Sequence, residues 1–200
     1  MKVLVACEYS GVVRNAFIAK GHHAVSCDFE PSESPDMGEH YQGDVFDIIN
    51  DGWDLMIAHP PCTYLSNAGA RWLYPKGQLN VERYEKGLEA KEFFFSLLNT
   101  NIDKICVENP KPSLIYELPT PTQVIHPYHF GDPYSKRTQL WLKNLSPLQH
   151  TNVVEVEGYW CGSYTSRFKG DKRKTVLGKT WKDRSRTFQG IANAMAEQWG

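Results

Sequence analysis

The sequence predicts an α/β fold: a mixed, mostly parallel sheet flanked by helices, in a single domain over residues 1–200. Three observations carry this expectation. Apolar, β-rich runs alternate with helix-compatible segments, the pattern of βαβ units. Lys2–Cys7 is almost continuously apolar, as a strand buried on both faces requires. The chain has 200 residues, 41% of them hydrophobic and 22% charged. That is enough to bury a core without disulfides, and it falls short of the roughly 250 residues at which chains tend to divide. The same composition excludes a disordered tail, a collagen-like repeat and an acidic solvating segment.

The elements follow in order. Lys2–Cys7 (KVLVAC) is the first strand. Gly11 leads into a helical pattern over Val12–Lys20, which Gly21 ends. His23–Asp28 (HAVSCD) is a second strand closing on an acid. A loop rich in Pro, Ser and Glu follows, with Gly43-Asp44-Val45 as a short third strand or a turn. Trp53–Ala58 is a fourth strand, stopped by His59-Pro60-Pro61. Val81–Asn99 has the composition and length of a helix. Asp103–Val107 is a fifth strand ending at Glu108-Asn109-Pro110. Val124–Phe130 and Thr138–Lys143 are expected to form a final strand pair, and Thr187–Trp199 a closing helix.

Net charge is −1 but unevenly placed. Residues 165–187 hold nine Lys or Arg and two Asp, a local +7 against −8 elsewhere. Such a stretch suits an anionic partner such as nucleic acid; a solvated basic loop serving only solubility is the alternative. No apolar run approaches the roughly 18 residues that span a bilayer. The N-terminal run meets a charge at Glu8, too soon for a signal peptide. The expectation is a cytosolic protein with no membrane partner. The five cysteines are widely spaced and contain no CxxC, so neither a disulfide framework nor a metal site is indicated. Cys7, Cys27 and Cys106 lie in strand-like runs and are read as small core residues, and Cys161 has no obvious partner. Cys62 follows Pro60-Pro61 and opens a polar loop, where a reactive thiol could be exposed.

In open α/β sheets, ligands bind beyond the carboxyl ends of the strands. Five clusters fall there: Glu8-Tyr9-Ser10-Gly11, Asp28, Asp44, Pro60-Pro61-Cys62 and Glu108-Asn109-Pro110. The first suits close approach of a ligand to backbone and helix N-terminus, and equally a tight strand-to-helix turn. Asp28 is placed to accept from ribose hydroxyls, and Asp44 from an exocyclic amine; each also suits a cap or turn aspartate. The prolines before Cys62 stiffen the backbone of a nucleophile, whose thiolate can add to an electron-poor ring carbon. Glu108, ending the neighbouring strand, is expected near Cys62. A partly buried glutamate with a raised pKa could donate a proton to a heterocycle nitrogen; pairing with an arginine is the alternative.

In this order the residues resemble the catalytic domain of the cytosine-C5 DNA methyltransferases. More closely, they are similar to the small cytosine-methyltransferase-like proteins of bacteriophages and prophages. Val3–Phe17 matches the family's first motif, the glycine-rich S-adenosyl-L-methionine loop, with Glu8 and Ser10 where the family has glycines. Asp28 and Asp44 match the acids at the ribose and adenine. Pro61-Cys62, with Tyr64, Ser66, Ala68 and Gly69, matches the loop of the nucleophile, and Glu108-Asn109 the pair that contacts the target cytosine. Tyr134-Ser135-Lys136-Arg137-Thr138 falls on the family's basic motif. Gln189–Met195 resembles the closing motif, with Ala192 in place of glycine. Residues 150–187 form a short basic insertion where the family carries a target-recognition domain.

The resemblance implies a class I AdoMet-dependent methyltransferase, or Rossmann-like, fold. It implies catalytic roles for Cys62, Glu108, Lys136 and Arg137. It implies cofactor contacts from Glu8, Tyr9, Ser10, Gly11, Asp28, Asp44, Pro60 and Asn193, and no metal. The activity it implies is methyl transfer to C5 of cytosine in DNA, in the host cytoplasm were the chain phage-encoded. Single-stranded DNA, RNA and a free cytidine nucleotide stay open as substrates, because a small chain has little surface to repay flipping a paired base. Two rivals remain at this level: a non-catalytic protein binding the cofactor or nucleic acid to blunt host defence, and a pyrimidine-nucleotide-modifying enzyme. A dinucleotide-dependent oxidoreductase is disfavoured by the poor glycine fingerprint.

Overall fold

The computed structural model describes residues 1–160, 174–176 and 184–200. Its main sheet has seven strands: β1 (Lys2–Ala6), β2 (His23–Asp28), β3 (His40–Gln42), β4 (Leu55–Ala58), β5 (Lys104–Pro110), β6 (Gln123–Ile125) and β8 (Thr138–Lys143). Their spatial order is β3-β2-β1-β4-β5-β8-β6. The first five are parallel, and β8 runs antiparallel to both β5 and β6. Among the described residues, three α-helices flank the sheet: α1 (Val12–Ala19), α2 (Val81–Leu98) and α3 (Gln189–Trp199). This strand order, with one reversed strand, is that of a Rossmann-like class I methyltransferase fold. A small parallel sheet joins β7 (Tyr134–Ser135), β9 (Gly158–Trp160) and β10 (Lys174–Val176). Cys161 and most of the +7 segment lie outside the described residues.

Strand alternation sorts the core into two layers, because successive side chains leave opposite faces. Val3 and Val5 of β1, with Leu55 and Ile57 of β4, pack under α1 and α3 against Phe17, Met195 and Trp199. Leu4 and Ala6, with Met56 and Ala58, face Phe94, Leu97 and Tyr116 on the α2 side. Both faces of β1 and β4 are therefore dry, which explains their unbroken apolar runs. Gly87 lets α2 approach Tyr116, whose ring and hydroxyl any Cβ would overlap. Asn80 caps α2 by accepting from Arg83 N at 3.1 Å.

The chain builds outward from β1 to β2 and β3, then returns to place β4 on the other side of β1. That reversal opens a crevice between the carboxyl ends of β1 and β4, where ligands of such sheets bind. Glu8 leaves one side of it and His59 the other.

Two sequence expectations are corrected, and one left open between strand and turn is decided. Val124–Phe130 is not all strand: β6 ends at Ile125, and Pro127–His129 forms a 3₁₀ turn, since Pro127 cannot donate to a ladder. The fifth strand does not stop at Val107 but continues through Glu108 and Asn109, because β8 pairs with it as far as Pro110. Gly43-Asp44-Val45 is a turn: the third strand is His40–Gln42, and Asp44 caps a 3₁₀ turn over Val45–Asp47.

Candidate active site

Glu8 is buried, and its carboxylate is engaged at the start of α1. It accepts from Val13 N at 2.7 Å and Arg14 N at 3.2 Å, and Ser10 Oγ donates to it at 3.2 Å. An anion there satisfies helix N–H groups that would otherwise lack partners. The S/T-x-x-E signature of an N-cap is absent, so this role was invisible in the sequence. Gly11 adopts φ +73°, and a side chain there would strike Ser34 and Arg14. Arg14, fully buried, donates to Ser26 Oγ at 3.0 Å, Ser34 O at 2.7 Å and Glu39 O at 3.3 Å. It thereby pins the loop after β2 against α1.

Asp28, half-buried at the end of β2, accepts from Glu30 N at 2.9 Å. Burial pushes its carboxyl above the ordinary value, opposed by the Glu30 N–H and by His40. Asp44 is exposed beside it and accepts from Phe46 N at 3.0 Å. The Tyr9 ring is buried, with its hydroxyl 2.8 Å from Ser185 Oγ. Asn193 is exposed on α3, and its amide oxygen accepts from Gln189 one turn back at 2.8 Å. No described hydrogen bond joins Asn193 to the acids of the sheet edge.

The loops after β4 and β5 are joined. Asn109 Nδ2 donates to the buried Pro60 carbonyl at 3.3 Å. Asn67 N donates to Lys111 O at 2.8 Å, and Ser113 N to Leu65 O at 2.7 Å. These bonds hold the Cys62 loop against the strand end that carries Glu108. Cys62 itself is half-buried. Of the other described cysteines, Cys27 is pushed by burial up to about 12, and burial raises Cys7 and Cys106 well above the ordinary thiol value too. None of those three is a thiolate near neutral pH.

His59 completes this corner. Its Nδ1 lies 3.2 Å from Glu108 Oε2, and both side chains are largely buried. The sequence expectation of a raised Glu108 pKa is corrected: the carboxyl is held below the usual carboxylate range. Burial, the largest single influence, pushes it up. The bond from His59 and the charges of Lys136 and His59 together pull it down further. The partner is a histidine 49 residues away in sequence, not an arginine.

Lys136 is the nearby cation, and its Nζ donates to Arg184 O at 3.1 Å and Arg186 O at 3.5 Å. Arg186 meets the Glu33 carboxylate at 2.7 Å. Residues 184–186 thus reach from the Tyr9 and Glu33 side to Lys136. Arg137 is exposed, and its charge is felt at His126 rather than at Glu108. Beside the Cys62 loop lies an open cleft of about 390 Å³, lined in part by Tyr64, Trp72, Asn80, Arg83 and Lys86. Arg83 sits over the Tyr64 ring at 5.0 Å.

No protein-family model matches the chain. No curated protein matches it either. Among solved structures, the chain is similar to the Entamoeba histolytica methyltransferase EhMeth: 15% identity over 78% of this chain and 57% of that one, with a TM-score of 0.47. It is also similar to a variant of DNMT2 from Spodoptera frugiperda: 15% identity over 77% and 54%, with a TM-score of 0.39. The chain spans little more than half the length of either. It is the strand order, with β8 reversed, that defines the fold. Among the described residues, no helix is long and apolar enough to cross a membrane.

Proposed function

We propose that the protein transfers a methyl group from S-adenosyl-L-methionine to C5 of cytosine in DNA, through a covalent adduct on Cys62. The observation that carries this reading is the joining of two loops at the carboxyl edge. A half-buried cysteine on a proline-stiffened loop is tied to the strand end that holds an ionised glutamate. The Cys62 thiolate attacks C6 of the ring, and the C5–C6 π pair becomes carbanion-like at C5, delocalised toward N3. Glu108 faces N3 and the exocyclic amine, and the proton it conveys to N3 neutralises the developing charge. S-adenosyl-L-methionine supplies the electrophilic methyl that C5 takes. Loss of the C5 proton to solvent water then restores the double bond and expels the thiolate.

The crevice residues fit such a cofactor. It is cationic and rich in hydroxyl and amine donors, and the edge it would meet is acidic: Asp28 suits the ribose hydroxyls, Asp44 the adenine amine. The Glu8 carboxylate is committed to α1, so it orders the loop beneath the ligand. Asp28→Ala is expected to weaken cofactor binding by about 1–3 kcal/mol, the cost of leaving buried polar partners unpaired. Titration calorimetry checks this, and an unchanged affinity removes Asp28 from the site. The polymeric substrate is supported by the +7 charge of residues 165–187 and by the aromatic and basic cleft beside Tyr64, which suits stacked bases and phosphates.

Mass spectrometry of nucleosides, after incubating DNA and RNA with the protein and methyl-labelled cofactor, tests the whole reading. Labelled 5-methylcytosine is expected from DNA. Label in another nucleoside, or in none, overturns the proposal.

A further inference from the structure

A buried histidine that merely packs normally has both ring nitrogens paired. His59 does not. Its Nδ1 faces Glu108 Oε2 at 3.2 Å, while Nε2 is buried with no hydrogen-bond partner among the described residues. A backbone bond from His59 N to Ala6 O at 2.9 Å fixes the residue at the mouth of the β1–β4 crevice. The charged and titratable groups around the pair are few. Lys136 approaches from the turn between β7 and β8, Cys106 lies two residues back on β5 with its thiol protonated, and Cys62 lies ahead on the loop.

We propose that His59 is a positioning residue that stores the proton Glu108 delivers to the target base. This rests on the cytosine reading above and deepens it. An ionised Glu108 accepts from the exocyclic amine but has no proton to give N3, so the proton must come from a neighbour. His59 is bonded to the carboxylate directly. In the proposed resting pair the imidazole carries both ring protons as a cation, and the Nδ1 proton is the one that faces Oε2. As the Cys62 sulfur bonds to C6 and the ring electrons move onto N3, the proton passes from Nδ1 to Glu108, and Glu108 gives a proton to N3. His59 is then neutral and Glu108 again an anion. When C5 loses its proton and the C6–S bond breaks, the N3 proton returns by the same route. No other donor is consumed. Because Nε2 has no described hydrogen-bond partner, Nδ1 is the nitrogen through which the ring acts on Glu108.

Asparagine in place of His59 overlays its amide N–H on Nδ1, so it keeps the hydrogen bond and removes the titratable proton. The experiment follows tritium release from C5-tritiated cytosine in single-stranded and duplex oligonucleotides from pH 5 to 9, with and without the methyl donor. For His59→Asn, the falling limb of the pH profile is expected to move to lower pH, because the remaining proton carrier is a carboxyl group and not an imidazole. The rate at pH 7.5 is expected to fall about 100-fold and to recover toward pH 5. Where the asparagine variant fails to fold, His59→Gln is measured in its place. An active wild type whose variant keeps the same limb, or loses rate equally at every pH, overturns the role of His59 alone. A wild type that releases no tritium from either oligonucleotide overturns the cytosine reading and this assignment with it.

Discussion

Cys62→Ala is expected to abolish turnover while leaving the fold and the cofactor affinity largely intact. The backbone bonds that shape its loop run from Ser66 N to Cys62 O, from Asn67 N to Lys111 O and from Ser113 N to Leu65 O. These are backbone bonds, which alanine can also make. No described cysteine can substitute, because burial keeps the thiols of Cys7, Cys27 and Cys106 protonated. The thiolate acts on the base and not on the cofactor, so loss of the nucleophile separates chemistry from cofactor binding. A methyl-transfer assay beside calorimetry reads both quantities on one preparation. Retained turnover would remove Cys62 from the mechanism.

Glu108→Gln is expected to lower turnover by roughly 10²–10⁴, the range of a lost general acid. The amide is nearly isosteric and can still accept from His59 Nδ1, so the loss reports proton transfer and not geometry. The same variant tests the electrostatics. The wild-type carboxyl is held below its ordinary value, so its contribution to stability is present above that ordinary value and is lost as pH falls through the folded one. The glutamine variant lacks that loss, and its melting temperature should fall less steeply on acidification. Thermal melts from pH 7 to 3 give the comparison. Parallel curves would mean that the His59–Glu108 pair does not hold in solution.

The layers of the fold were legible because they depend on local periodicity. The unbroken apolar runs around β1 and β4, and the strand ending on Asp28, marked a parallel sheet and its functional edge. Those edge positions did come together: Pro60 and Asn109 meet, as do the loops that follow them. What stayed hidden depends on partners distant in sequence. His59 before two prolines carries no periodic signal, and its bond to Glu108 spans 49 residues. The direction of the Glu108 pKa required that bond and the approach of Lys136 from another turn, whereas the sequence offered only burial or an arginine partner. Glu8 was legible as an edge residue but not as a cap for α1, because it reaches forward to Val13 and Arg14. The contacts of Lys136 with Arg184 and Arg186 bring in a chain segment nearly fifty residues on, which no local pattern announces.

The most direct test of the central claim is covalent trapping. An oligonucleotide carrying 5-fluorocytosine, incubated with the protein and S-adenosyl-L-methionine, cannot lose fluorine as it would a proton, so the adduct persists. Peptide mapping by mass spectrometry should find the base bonded to Cys62. An adduct on Cys7, Cys27, Cys106 or Cys161, or methylated cytosine formed from the normal substrate with no trapped adduct, would contradict it.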